Sequence, residues 1–323
     1  MWQQLTQGIE QNWYSRRPGL NLLLLPLWLL AAPVIYWKRY QALENPAEKL
    51  RTPVVVVGNI TVGGTGKTPL ITYLVNRVQA LGYRAGIISR GYGGEAPGYP
   101  LLVTNGTAVD YCGDEPKLLQ QRLQCPVVVD PQRRRAASLL DGEVDIIFSD
   151  DGLQHYGLGR DGEILVVDGE RGFGNGWLLP VGPLREPVSR ADSVDVVLTN
   201  GSDFSVHAAR LINASSGRQQ PLSWLEGREI QAVAGIGNPQ RFYRTLEDLG
   251  ARVEPHSFAD HHEFKARDFN FPAASDIVMT EKDWVKCRAF ATENMWYLAV
   301  DAQLTSAAEQ QLDVLLKQLL SVS

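Results

Sequence analysis

A largely parallel α/β sheet covered on both faces, with a smaller α/β unit after it and an apolar helix before it, is the architecture this sequence predicts. Three observations carry the prediction. From Val54 onward, short β-branched runs alternate with segments of helical period, the pattern of βαβ units. The stretch PVVVVGNITVGGTGKTPL (53–70) sets a Gly-rich turn between a buried strand and a helix. PGLNLLLLPLWLLAAPVIYW (18–37) carries no charge and is close to the minimum length for crossing a bilayer.

The N-terminal stretch comes first. Arg16 and Arg17 precede it, and Lys38 and Arg39 follow. Pro26 and Pro33 interrupt it, Asn21 is polar, and cationic pairs at both ends give no positive-inside bias. No small-residue cleavage site follows, which argues against a secretory leader. Trp28, Tyr36 and Trp37 favour the headgroup boundary. The reading is a membrane-anchoring segment over 1–40, a monotopic anchor lying in the cytoplasmic leaflet in preference to a single spanning helix or a buried core helix pair.

The P-loop domain is expected over 41–202. Its strands are predicted at Val54–Val57, Ala85–Ser89, Val127–Asp130, Asp145–Ser149, Glu163–Asp168 and Asp195–Thr199. Helices are predicted at Leu70–Leu81, Glu115–Leu123 and Gln132–Leu140. Turn pairs punctuate Tyr92–Gly113, and Asn105-Gly106 fits a hairpin between Leu101–Val103 and Ala108–Val109. Over 203–323 a smaller α/β domain is expected, with strands at Ile230–Ala234, Ile277–Thr280 and Trp296–Val300. Its helices are predicted near Arg241–Leu249 and Ala307–Leu320.

Thr61, Val62, Gly63, Gly64, Thr65, Gly66, Lys67 and Thr68 form the turn after the first strand. Glycines there let backbone N–H groups face phosphate oxygens, and the following helix N-terminus adds positive potential. Lys67 suits the β/γ-phosphates and the Thr68 hydroxyl suits Mg²⁺. Thr61 stands where the general pattern has Gly. A nucleoside triphosphate is the expected ligand.

Ligands of such sheets gather at the carboxyl ends of the strands. There the sequence offers Asp150 and Asp151 after an apolar strand, as metal-side acids or as a plain Asp-Gly turn, with His155 close behind. Ser89-Arg90-Gly91-Tyr92 follows another strand, and Tyr92 could close the site. Arg133 is either a phosphate ligand or part of a solvated Arg133-Arg134-Arg135 face. Asp114 and Glu115 open a helix and, by residue type alone, read as N-cap and first-turn acids. The block GNGWLLPVGPLREP (174–187) suits either an amphiphilic phosphorylated ligand or a buried connection. Asp260-His261-His262 fits a histidine held by a carboxylate better than a metal site.

The bulk composition narrows the classes. A net charge of −5 gives no global sign of nucleic-acid binding. Cys112, Cys125 and Cys287 are odd in number and lack metal-ligand spacing, which fits a reducing compartment.

Taken jointly and in order, VGNITVGGTGKT (57–68), SRGYGG (89–94), GDEP (113–116), DDGLQH (150–155), GNGWLLPVGPLRE (174–186), ADHHEF (259–264) and MTEKDWVKCRAF (279–290) resemble the tetraacyldisaccharide 4′-kinase family. The resemblance implies transfer of the ATP γ-phosphate, with Mg²⁺, to the 4′-hydroxyl of an acylated glucosamine disaccharide 1-phosphate, a lipid A precursor. It implies work at the cytoplasmic face of the inner membrane, with the bilayer and the lipid as partners and neither nucleic acid nor a protein partner. By carry-over, Asp114 is the catalytic carboxylate, paired with His261, and Lys67 acts on phosphate. Thr68, Asp150, Asp151 and Glu115 fall on the metal side, while Tyr92, Arg133, Arg185 and His155 contact substrate or phosphate. The catalytic role of Asp114 comes from the resemblance alone. Two other readings fit the P-loop: a membrane-bound GTPase or ATPase switch, and a non-catalytic nucleotide sensor.

Overall fold

The computed structural model describes residues 2–15, 17–272 and 275–321, and of residues 2–7 only the backbone path. Arg16 of the leading cationic pair lies outside the described residues. The chain divides into two compact units, each assembled from separated stretches.

The first unit comprises 1–90, 130–205 and 303–323. Five parallel strands run in the order Val196–Asn200, Gly162–Asp168, Val54–Gly58, Ile146–Asp150, Ala85–Ser89. Val54 to Val57 are wholly buried, as befits a central parallel strand whose two faces are both covered. The helix Lys67–Ala80 buries Leu70, Ile71, Leu74, Val75 and Val78, an i, i+4, i+8 stripe. At the chain end, Ser306–Leu320 buries Ala308, Leu312, Leu315, Leu316 and Leu320 in the same way. That last helix is tied to the P-loop helix by Arg77–Asp313 at 2.5 Å and Tyr73–Glu309 at 3.0 Å.

At the N-terminus, helix Trp2–Trp13 leads into a 3₁₀ segment, Gly19–Leu24, and then helix Leu25–Glu44. Pro26 sits in the first turn of that helix, where no donor is missed, and Pro33 lies inside it. The apolar stretch is therefore a 3₁₀ turn joined to a helix. Gly19–Glu44 is long and apolar enough to cross a membrane, and Leu20, Leu23, Leu27, Leu30, Trp37 and Leu43 are exposed.

The second unit comprises 91–129 and 206–302. Parallel strands Arg252–Ser257, Glu229–Ala234, Asp276–Thr280 and Met295–Leu304 lie side by side, with Phe204–Asn213 next in order. The unit assignment departs from the sequence expectation in two places. Residues 91–129 join the second unit because the helix Asp114–Arg122 packs on the helix Glu281–Cys287, bound through Arg122–Glu281 at 3.0 Å and Lys286–Asp114 at 2.9 Å. The C-terminal helix returns to the first unit through its contacts with Arg77 and Tyr73.

Three local expectations are corrected. Leu101–Val103 pairs antiparallel with Val127–Val129, and Val109–Cys112 is a helical turn, so no hairpin forms at Asn105-Gly106. The buried Lys117 Nζ holds that turn, donating to the carbonyls of Thr104 at 2.8 Å and Asn105 at 3.0 Å. Strands Phe204–Asn213 and Arg252–Ser257 were not expected: Arg, His and Asn interrupt the first, and Pro255 lies within the second. Arg252–Ser257 ends the strand order, and an edge position tolerates proline.

Candidate functional site

In the first unit, Gly66 caps the helix Lys67–Ala80 with φ +96°, a left-handed conformation suited to glycine. A Cβ there would lie 3.0 Å from Asn200 Nδ2, whose amide donates to the Thr65 carbonyl at 3.3 Å. Asn59 braces the loop from below, donating to the carbonyls of Thr61 at 2.9 Å and Gly63 at 3.2 Å. Its Oδ1 accepts from Lys67 Nζ at 3.2 Å and from Arg185. Sequence reasoning missed Asn59, although a polar residue directly after a buried strand and before a phosphate loop was a usable signal.

Thr61 pairs with Leu184 in an isolated antiparallel bridge. Val62 N–H donates to the Pro183 carbonyl at 2.9 Å, and Arg185 N–H donates to the Ile60 carbonyl at 2.7 Å. This pairing makes the Trp-Leu-Leu-Pro block a buried connection within the first unit, one of the two readings its sequence offers. Leu178 and Leu184 are buried, Trp177 stacks edge-on against Trp28, and Trp13 Nε1 donates to the Pro180 carbonyl at 3.0 Å. The block joins the N-terminal helices to the P-loop edge and delivers Arg185 there.

Arg185 grips Asp151 with both Nη atoms, at 3.0 and 3.1 Å, and Lys67 Nζ lies 3.6 Å from the same carboxylate. Burial acts to raise the Asp151 pKa, but Lys67 and Arg185 outweigh it and hold the group at about 2. Asp151 sits at φ +47°, so the chain turns left-handed after Asp150 and the two neighbouring acids need not share one direction. Asp150 itself is buried at the strand end. Arg133 is 3% exposed, which removes it from a solvated face. Arg134 and Arg135 alone sit outward, on Glu48 and Asp130. Arg133 Nη2 donates to the carbonyls of Asp150 at 2.8 Å and Asp151 at 3.5 Å, while its Nε and Nη1 are buried without partners. Such donors are costly unless an anion takes them. Burial pulls the Arg133 pKa down to about 10, so it is a cation at neutral pH. His155 is half-buried; burial first, then the charges of Arg133, Arg160 and Arg90, push it down to about 4. Its ring is neutral at pH 7.

The second unit holds the other candidates. Gly113, not Asp114, is the N-cap of the helix Asp114–Arg122, so the capping reading of Asp114 fails. Its carboxylate instead meets His261 Nδ1 at 3.0 Å and Lys286 Nζ at 2.9 Å. Tyr92, 68% exposed, lies with its ring 5.4 Å from that of His261. His262 points elsewhere, to Asp268 at 3.1 Å and into a cluster with Phe258 and Phe264. Thus His261 is the histidine that reaches Asp114. Glu115, placed on the metal side by the resemblance, pairs with Lys282 in the second unit. Lys286 and Asp283 fall within MTEKDWVKCRAF (279–290), and nothing in that local sequence signals their contact with Asp114.

Thr68, Asp150 and Asp151 offer hard oxygen donors beside the P-loop, the donor chemistry that Mg²⁺ selects. Among the described residues no cluster of three His, Cys, Asp or Glu side chains could hold a metal, so any ion there would lean on hydroxyl and ligand oxygens as well.

Known proteins resemble this chain over most of its length. The family model for tetraacyldisaccharide-1-P 4′-kinase matches residues 20–319. The chain is 48% identical over 322 residues to the tetraacyldisaccharide 4′-kinase of Vibrio cholerae serotype O1, covering 94% of this chain and 95% of that one. It is also 48% identical over 329 residues to that of Pseudomonas fluorescens, covering 98% of each. Its fold is similar to the crystal structure of "apo" form LpxK from Aquifex aeolicus in complex with ATP. The TM-score is 0.82 at 28% identity, over 93% of this chain and 99% of that one. A P-loop braced by Asn59, with Arg133 and Arg185 beside it, and a carboxylate–histidine pair thus occur in a chain that belongs to the tetraacyldisaccharide 4′-kinase family.

Proposed function

We propose that this protein transfers the γ-phosphate of ATP to the 4′-hydroxyl of a tetraacylated glucosamine disaccharide 1-phosphate, and that it does so on the cytoplasmic side of the inner membrane. The observation that carries the chemistry is the Asp114–His261 pair at 3.0 Å in a chain that also holds a complete P-loop. A nucleotide switch has no need of such a pair.

Phosphoryl transfer has a loose transition state, so positioning and charge neutralisation dominate catalysis. The N–H groups of the Gly63–Thr68 turn would cradle the phosphates, with Lys67 on the β/γ-oxygens. The two orphaned donors of Arg133 and the guanidinium of Arg185 supply further positive charge. Thr68, Asp150 and Asp151 would hold Mg²⁺, which when bound supplies charge neutralisation at the phosphates. His155, as a neutral ring, can donate or accept one hydrogen bond there. The sugar hydroxyl is a weak nucleophile. As its oxygen bonds to the γ-phosphorus and the bond to ADP breaks, its proton passes to Asp114. His261 orients the carboxylate, and Tyr92 beside it offers an aromatic face to the acceptor.

Four acyl chains make the acceptor a resident of the bilayer, at about 0.8 kcal/mol per buried methylene. The exposed apolar helix Leu25–Glu44 and the 3₁₀ turn before it are the surface suited to meet it there. Arg17, Lys38 and Arg39 would sit at anionic head groups.

The test follows label from γ-labelled ATP into the tetraacyldisaccharide 1-phosphate in detergent micelles. Wild type should label the lipid, and Lys67→Ala and Asp114→Ala should each lose on the order of 10³-fold in turnover. Label released only as inorganic phosphate would replace the kinase with the switch.

A further inference from the structure

We infer that Lys286 is a positioning residue for phosphoryl transfer, pinning one oxygen of Asp114 so that the other is presented to the acceptor hydroxyl. The inference rests on Asp114 being the proton acceptor. Three observations support it. First, His261 Nδ1 at 3.0 Å and Lys286 Nζ at 2.9 Å both reach the same atom, Asp114 Oδ2. Both contacts fall on Oδ2, so Oδ1 is the oxygen this inference assigns to the acceptor proton. Second, Lys286 is itself held. Its side chain is 8% exposed, it lies 3.6 Å from Asp283 Oδ1, and it sits over the Phe264 ring at 5.8 Å. Third, Asp283 is fully buried and anchored through Oδ2, which accepts from Gly235 N–H at 2.9 Å and Thr280 Oγ1 at 2.7 Å. Its Oδ1 has no hydrogen-bond partner, which leaves that oxygen to face the ammonium.

The chain Asp283–Lys286–Asp114 therefore runs from backbone-anchored carboxylate to working carboxylate through one cation. A lone His261 contact would fix Asp114 about one axis only, and that histidine is 40% exposed. The buried ammonium supplies the second point. Lys286 touches neither nucleotide nor acceptor in this role; it acts through Asp114.

The test is a double-mutant cycle on the full chain in mixed micelles, with kcat and KM measured for both substrates. Lys286→Met should lower kcat on the order of 10²-fold, the scale of a misplaced reacting group, with both KM values within about threefold. Lys286→Arg, which keeps the cation, should recover most of that loss. In an Asp114→Asn background, Lys286→Met should cost nothing further, because its effect passes through the carboxylate. If Lys286→Met leaves Asp283 too costly to bury and the protein unfolds, Lys286→Met with Asp283→Asn removes both charges and carries the same cycle. Additive losses, an unchanged kcat, or a loss confined to KM would each overturn the inference. Full activity of Asp114→Asn alone would instead remove the proton-acceptor role, and this inference with it.

Discussion

Gly113→Ala places a methyl group where the structure has no room for it. Gly113 adopts φ +84° and ψ 164°, a region open essentially to glycine, and an alanine held there costs about 1–3 kcal/mol. Its Cβ would stand 2.4 Å from the Tyr92 carbonyl oxygen. An ordinary carbon–oxygen approach is about 3.3 Å, so the backbone must give by about 0.9 Å. Overpacking of this kind costs about 1–3 kcal/mol, and relaxation trades one penalty against the other. The expected destabilisation is about 2–4 kcal/mol. Asp114 is the next residue, so the displacement falls on the carboxylate that His261 and Lys286 hold. A shift near 1 Å at a reacting group costs on the order of 10²-fold in rate. Urea unfolding would read the stability, labelled-phosphate transfer the kcat, and a fluorescent nucleotide the ATP affinity. Affinity should change less than about threefold, because the P-loop belongs to the first unit. An unchanged unfolding midpoint with an unchanged kcat would refute both the clash and the placement of the base. Loss of nucleotide binding in step with kcat would show general unfolding instead of a local displacement.

Other outcomes follow from the same geometry. Asp151 has a folded pKa held below its unfolded value, so its ion pairs stabilise above about pH 4 and that support is lost as pH falls toward 2. Asp151→Asn should therefore cost about 1 kcal/mol at pH 7, after discounting for a side chain that solvent reaches. The deficit should shrink at pH 3.5; one of constant size by urea unfolding would contradict the sign. The depressed pKa of His155 keeps its ring neutral, so its proton resonances should not titrate between pH 8 and 5.5. The same depression means that stability falls as pH drops from about 6.5 toward 4. Leu23 and Leu30 are 78% and 72% exposed, and inserting both would contribute about 3 kcal/mol. Leu23→Ser with Leu30→Ser should lower partition into anionic vesicles on the order of a hundredfold, and unchanged sedimentation would locate the membrane surface elsewhere.

Much of the first unit was legible because its signals are local. A β-branched run, a Gly-rich turn and a helix-start proline each act through dihedral preferences and periodicity over a few residues, so the P-loop and its strand and helix were readable directly. The Leu-rich N-terminal segment was readable for the same reason. Strands Phe204–Asn213 and Arg252–Ser257 were not, because their sequences lack a clean alternation and pairing with neighbours makes them strands. Asp114 alone looks like a cap; only the fold brings His261, 147 residues later, and Lys286 to its carboxylate. Likewise Arg185 reaches the phosphate loop through a bridge between Thr61 and Leu184, and a chain segment with no helix or strand signal gave no hint of it. The composition of the two units was settled in tertiary structure for the same reason. Local chemistry determined which parts this chain contains, whereas long-range packing and ion pairing, invisible in short windows, decided which side chains face one another.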